Sequence, residues 1–338
     1  MAQPLPIPIS LPSPPSDGIT SLSYVQNTRL ACTSWDGTVR IYDAQKKSDL
    51  VKKSLECPLL SLAVDGSNAV YCGGIDGPIR QFDIEQDSVT VIGNHGHEDP
   101  QKRGVSCLQS ISSSSSLLAS AGWDGTFHLW DVRFSSSVAS VDLPGKAFDM
   151  DVSSDGNMAV VATSGRRNIF IDLRNAQNNQ VEILLDRESS LKYQTRCIKF
   201  FPSSTGIAVG SIEGRVAIEY LDDVTGVPSN RKKYAFKCHR ISDTIYPVNT
   251  IAFHKYGTFA TGGADGTVIT WDGNSKKKIA TIAKLPTSVA CVAFNESGDQ
   301  IAMASSYTFE EGERDHPREE IYVRDVIDGE VMPKASSK

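Results

Sequence analysis

The chain has 338 residues, 40% apolar content and a formal net charge of −6. That balance argues against a general nucleic-acid or membrane-surface protein, which needs a basic excess, and no run of about 18 apolar residues offers a membrane span. Seven cysteines, Cys32, Cys57, Cys72, Cys107, Cys197, Cys238 and Cys291, form no Cys-x-x-Cys pair. They predict buried free thiols in a reducing compartment and no zinc site.

The N-terminal stretch MAQPLPIPISLPSPPSD lacks a basic start and a continuous apolar core, so no secretory signal is expected. Within it, IPISL at 7–11 has strand-like spacing. A ten-residue pattern then recurs: SWDGTVRIYD at 34–43, GIDGPIRQFD at 74–83, GWDGTFHLWD at 122–131, SIEGRVAIEY at 211–220 and GADGTVITWD at 263–272. SGRRNIFIDL at 164–173 is a worn copy. Asp-Gly between alternating apolar runs is a strong hairpin signal, because both central turn positions tolerate positive φ. Each copy has an apolar strand before the turn and a β-branched strand ending in aromatic-Asp after it. A further strand precedes each unit and a variable outer strand follows.

Four strands per unit make a propeller blade. The first strands start near Ile19, Leu59, Val105, Phe148, Arg196, Val248 and Val289, which predicts an all-β, seven-bladed WD-repeat β-propeller spanning 1–338 as one domain. The seventh blade lacks Asp-Gly and carries an insertion at 307–320. Open sheet edges invite aggregation, so strand 7–11 is expected to close the ring as the outer strand of the last blade.

Most repeat residues read as scaffold. The glycines serve turns, and the recurring Asp36, Asp76, Asp124 and Asp265 accept hydrogen bonds within their blades. Tyr42, Phe82, Trp130 and Trp271 pack between blades. The exceptions point to function. Trp35 and Trp123 stand just before Asp-Gly, where other copies have Ile75, Ile212 and Ala264; an aromatic on a hairpin tip suits an interface anchor. Arg196 begins its strand where Thr20, Ser106 and Ala290 stand in other blades. Arg215 follows Glu213-Gly214, and Arg240 ends the FKCHR strand. The three arginines fall at one end of their strands, and such a rim suits carboxylate or phosphate recognition.

No nucleophile–base pair, Gly-x-Ser-x-Gly or P-loop spacing appears. His95-Gly96-His97 reads as a charged loop, with metal binding as the alternative. Cys238-His239 is expected in a strand, where alternate side chains diverge. The serine run at 112–116 is a low-complexity loop. The basic runs at 231–233 and 276–278 are too short to argue for DNA.

The repeats resemble the WD-repeat superfamily across nearly the whole chain. LKYQTRCIKFFP at 191–202, GSIEGRVAIEYLDD at 210–223, KKYAFKCHR at 232–240, YPVNTIAFHKYGTFATGGADG at 246–266 and the ending ASSYTFEEGERDHPREEIYVRDV are more specific. They look like the spindle-assembly-checkpoint propeller of the budding-uninhibited-by-benzimidazole group, whose close relative is the messenger-RNA export propeller of the nuclear pore. The resemblance implies a non-enzymatic adaptor without cofactor, monomeric as a propeller, with no direct DNA or membrane contact. Its implied partners are a checkpoint kinase and a pseudokinase-type checkpoint protein, held through a short glutamate-bearing motif. Phosphothreonine in Met-Glu-Leu-Thr repeats of a kinetochore scaffold is the other implied ligand. The implied location is the nucleus, and the kinetochore in mitosis. Carried onto this chain, Arg196 and Arg215 pair the partner's glutamates, Arg215 and Arg240 take the phosphate, and Trp35 and Trp123 line the same face. The alternatives are an export adaptor that binds a nucleoporin motif and RNA, and a generic WD-repeat subunit of a ubiquitin ligase. The worn fourth blade, with Arg166-Arg167 at its turn, and the proline-rich N-terminus depart from the pattern without touching the arginines.

Overall fold

The Asp-Gly pairs close tight hairpins in which Gly37, Gly125 and Gly266 take φ of 75°, 76° and 77°, a region only glycine enters at no steric cost. The preceding aspartate locks each turn. Its Oδ1 accepts the amide of Thr38 at 2.9 Å, of Thr126 at 3.0 Å and of Thr267 at 3.0 Å. Built on these turns, the computed structural model is an all-β, seven-bladed propeller. It describes residues 5–66, 68–111, 116–134, 137–226 and 231–333; most of the serine run, at 112–115, lies outside them.

Among the described residues there are seven four-stranded antiparallel sheets and one two-stranded ribbon. The first blade comprises Ile19–Val25, Arg29–Ser34, Thr38–Asp43 and Ser48–Ser54. The later blades begin at Leu59, Cys107, Ala147, Thr195, Val248 and Val289, within two residues of the positions expected from sequence. The core is divided the same way. Seven clusters of buried apolar residues each join two neighbouring blades, so no blade owns a complete core. Tyr42, Phe82 and Trp130 sit in these seams with at most 2% of their surface exposed, while Trp271 is half-buried.

Closure comes from the N-terminal segment. Ile9–Ser10 pairs antiparallel with Val323 and Tyr322 as the outer strand of blade seven. Leu11 is buried in the seam between blades seven and one, and its amide reaches the Ile321 carbonyl at 2.8 Å. The Ser13 carbonyl then accepts from Arg40 Nη1 at 2.7 Å and Tyr42 Oη at 3.1 Å in blade one. Two paired residues are a short strand, yet the segment contacts both ends of the ring.

The histidine expectations need correction. His95 is fully buried and does not act with His97. Its Nδ1 lies 2.9 Å from Asp124 Oδ2 and its Nε2 2.6 Å from Ser120 Oγ, which also accepts from Trp130 Nε1 at 2.7 Å. His239 repeats the arrangement in blade six with Asp265 at 2.9 Å, Thr261 at 2.8 Å and Trp271 donating to Thr261 at 2.9 Å. Cys238-His239 is therefore not strand. The outer strand ends at Lys237, and His239 takes φ of 48° to turn its ring under the hairpin. Blades one and two reach the same end differently, with Arg40 and Arg80 placed four residues after Asp36 and Asp76. All seven cysteines are free thiols, five of them buried.

Burial alone would raise the carboxyls of Asp124 and Asp265. The bonds from His95, His239 and the threonines outweigh it and hold both below the usual range. Depressed carboxylate pKa values add stability above the unfolded value of about 3.9, and that stability is lost as pH falls through the folded value. An acid-unfolding series should therefore show wild type losing stability below about pH 4, with Asp265→Asn flatter over that interval. His239→Ala leaves buried groups unpaired and should cost about 3 kcal/mol in denaturant unfolding. Deleting residues 1–12 should lower the melting temperature sharply by opening the ring.

Candidate functional site

In every blade the first and third strands start, and the second and fourth end, on one face. The Asp-Gly hairpins and the inter-blade connections therefore share that face, and all five residues singled out from sequence lie on it. The blade-to-blade register adds a ring at its centre. Pairing of the first two strands shifts past Thr20, Leu60, Phe148, Arg196, Asn249 and Ala290. A bulge leaves one residue unpaired and re-aims it, here around the mouth of the central channel.

Trp35 and Arg196 share one concavity of about 570 Å³, walled by that ring and by the start of the insertion. Trp35 is 42% exposed; its amide bonds the Gly18 carbonyl at 2.9 Å, which holds the indole over the connection into blade one. Arg196 is half-buried and donates from Nη2 to Asn249 Oδ1 at 3.1 Å. Asn249 Nδ2 donates to the Val289 carbonyl at 3.1 Å and to Thr308 Oγ1 at 3.3 Å. Thr308 donates to Glu310 Oε2 at 2.8 Å, and Ser288 donates to Glu310 Oε1 at 2.5 Å. This relay ties the insertion to the arginine. It also displays Phe309, 65% exposed with φ of 62°, beside the buried Tyr307.

The other three residues form separate parts of the face. Trp123 is half-buried, and its indole covers Gly104 so closely that a Cβ there would lie 2.4 Å from Cε3. It does not line the cavity that Trp35 shares with Arg196. Arg215 and Arg240 meet at Glu213: Arg215 Nε lies 3.4 Å from its carboxylate, and Arg240 Nη2 donates to its carbonyl at 2.9 Å. Arg240 does not end the outer strand. It opens a ribbon in which Arg240–Ile241 pairs with Thr244–Ile245, and its buried Nε has no hydrogen-bond partner. The arginines thus form two groups, Arg196 over the channel and Arg215 with Arg240 at a hairpin.

Two carboxyls on this face are tuned in opposite directions. Burial would raise Asp36, yet bonds from Thr38, Ser16 and Arg40 hold it at about 2. Burial pushes Glu319 up, against the pull of Ser306 and His316. One metal-spaced group occurs among the described residues, His95, Asp124 and His128. Each member is already hydrogen-bonded inside the blade, and burial lowers His128 to about 4, so the group braces the hairpin.

Sequence reading missed Asn249, Glu213, Tyr307 and Phe309. Asn249 was detectable: VNTIAF aligns with TRCIKF, and both second positions carry a planar hydrogen-bonding group where Thr20, Leu60, Phe148 and Ala290 stand in other blades. Phe309 gave no signal, because its exposure depends on how the insertion folds back.

A family model described as "WD domain, G-beta repeat" matches residues 9–43, 88–131 and 230–272. The chain is 40% identical over 326 residues to the mitotic checkpoint protein bub3 of Dictyostelium discoideum, covering 94% of this chain and 95% of that protein. It is 39% identical to the mitotic checkpoint protein bub-3 of Caenorhabditis elegans, covering 96% and 95%. It is 34% identical to the poly(A)+ RNA export protein of Schizosaccharomyces pombe, covering 90% and 85%. With a closed seven-bladed ring and end-to-end identity of this order, the chain belongs to the WD-repeat propeller family of the Bub3 mitotic checkpoint proteins, to which the RNA export propellers are related.

Proposed function

We propose that this protein is a non-enzymatic adaptor of the spindle assembly checkpoint. It presents its hairpin face to acidic partner motifs and brings checkpoint proteins to kinetochores. The observation that carries the reading is the end-to-end similarity to proteins named for the mitotic checkpoint. The geometry supports the site. Arg196 can pair a glutamate of an extended partner segment, while Trp35 and Phe309 offer apolar faces in the same concavity. The partners in this account are a checkpoint kinase and a pseudokinase-type checkpoint protein, acting in the nucleus and at kinetochores in mitosis.

Arg215 and Arg240 are the proposed phosphate readers, for phosphothreonine in Met-Glu-Leu-Thr repeats of the kinetochore scaffold. Two guanidiniums a hairpin apart can fork onto one phosphate. Glu213 opposes this. Its carboxylate neutralises Arg215 and repels a dianion, so the phosphate must displace it. The export-adaptor alternative draws on the similarity to the poly(A)+ RNA export protein and to Rae1 of Drosophila melanogaster; recovery of a nucleoporin and RNA with the tagged chain would favour it.

A charge-assisted hydrogen bond is worth about 1.5–3 kcal/mol. Titration of a phosphorylated Met-Glu-Leu-Thr peptide should thus show Arg215→Ala and Arg240→Ala binding about ten- to a hundredfold more weakly than wild type. Equal affinity for phosphorylated and unmodified peptide rejects phosphate reading. Glu213→Gln should bind the phosphopeptide about fivefold more tightly, since a part-exposed ion pair is worth up to about 1 kcal/mol.

A further inference from the structure

The face opposite the hairpins carries a cavity of about 540 Å³ between blades five and six. Its walls are aromatic. Phe201 meets Tyr220 at 5.8 Å and Phe253 at 5.6 Å between ring centroids, both near edge-to-face, and Phe253 meets the fully buried Phe259 at 5.3 Å. The rings brace one another, so the walls are set before anything enters. A pocket of this size with apolar walls and a few polar groups has the form of a ligand site.

The mouth has the opposite chemistry. Lys255 is exposed, bonded to the Ser297 carbonyl, with its ammonium 5.5 Å from the Tyr256 ring. Arg231 is bonded to the Asn274 side chain and lies 6.0 Å from the Tyr220 ring. Among the described residues lining the cavity there are two cations and no carboxylate, in a chain whose net charge is −6; the acids nearby stand outside it, Asp328 on the Tyr256 hydroxyl at 3.4 Å and Asp222 and Asp223 on the far side of Arg231. Tyr256 stands at the rim, 39% exposed, where it can cover an inserted side chain.

We propose that this cavity is a second docking site, which takes a short acidic peptide segment with one aromatic or large aliphatic anchor. The anchor fills the space between Phe201, Phe253 and Tyr220. Carboxylates flanking it meet Lys255 and Arg231. A peptide with basic flanks is repelled by the same pair, so charge selects among segments that share an anchor. The site shares no residue with the hairpin face and lies at the other end of the strands, so both faces can be occupied together. An adaptor with two such faces can hold two chains at once.

The test uses three fluorescein-labelled peptides, Gly-Asp-Phe-Asp-Glu, Gly-Asp-Trp-Asp-Glu and Gly-Asp-Leu-Asp-Glu. Controls replace the acidic residues by lysine or the anchor by alanine. At least one acidic anchored peptide should bind the full chain saturably. Lys255→Glu should weaken that binding at least about tenfold and Tyr256→Ala should weaken it as well, while Arg196→Ala leaves it unchanged. Lys255 and Tyr256 are both exposed, and an unchanged melting temperature confirms that the variants fold. The proposal is overturned if no acidic peptide binds below about 1 mM, if lysine-flanked or anchor-free peptides bind equally well, or if Lys255→Glu binds as wild type does. Failure on this face leaves the arginine titrations on the other untouched, so the two accounts are judged separately.

Discussion

The architecture depends on one small interaction, a carboxylate tucked beneath a three-residue turn. Asp36, Asp124 and Asp265 each accept the amide two residues on, and each then engages a second group outside the turn. In blades three and six that group is a buried imidazole from the preceding connection. In blade one it is an arginine from the following strand, and Arg80 meets Asp76 in the same way in blade two. A buried carboxylate without such partners would be strongly destabilising. Paired, it fastens hairpin, connection and inner strands into one rigid edge, and the residues that stand on that edge are held in place.

Rigidity of the edge explains how function can rest on exceptions. The bulge position recurs in blade after blade, and most of its residues do little more than ring the channel. Where it becomes Arg196, a guanidinium is delivered to the centre of the face; where it becomes Asn249, the next blade supplies the amide that orients that guanidinium. The relay onward to Thr308 and Glu310 couples the arginine to the insertion that presents Phe309. In the proposed reading, two departures from the ring and one loop give this face its direction. On the opposite edge Asp43, Asp83, Asp131, Asp172 and Asp272 close the other hairpins in the same way, each accepting the amide two residues on, and the cavity between blades five and six is built from packed aromatic rings.

Much of the fold was legible because the repeat is local. Asp-Gly turns, alternating strands and the aromatic-Asp ending all act over a few residues, so the pattern announces itself in the chain. The closing strand was legible for a global reason: a ring must end somewhere, and IPISL was the segment left over. The histidines were misread for the converse reason. His95 and His239 contact residues more than twenty positions away, and nothing beside them in the chain hints at those partners. The same holds within the site. The arginines and tryptophans stand out as breaks in a pattern, whereas their division into two groups, and the carboxylate of Glu213 beside Arg215, depend on side-chain placement that no periodicity encodes.

The central claim is that partner motifs dock on the hairpin face around Arg196. Hydrogen exchange with and without a bound glutamate-bearing checkpoint peptide tests it most directly. The account predicts slowed exchange at the connection Asp17–Thr20, at the Trp35 hairpin, at the start of the strand carrying Arg196 and at 306–309. Protection confined to the outer strands, or to the aromatic cavity on the opposite face, would contradict it.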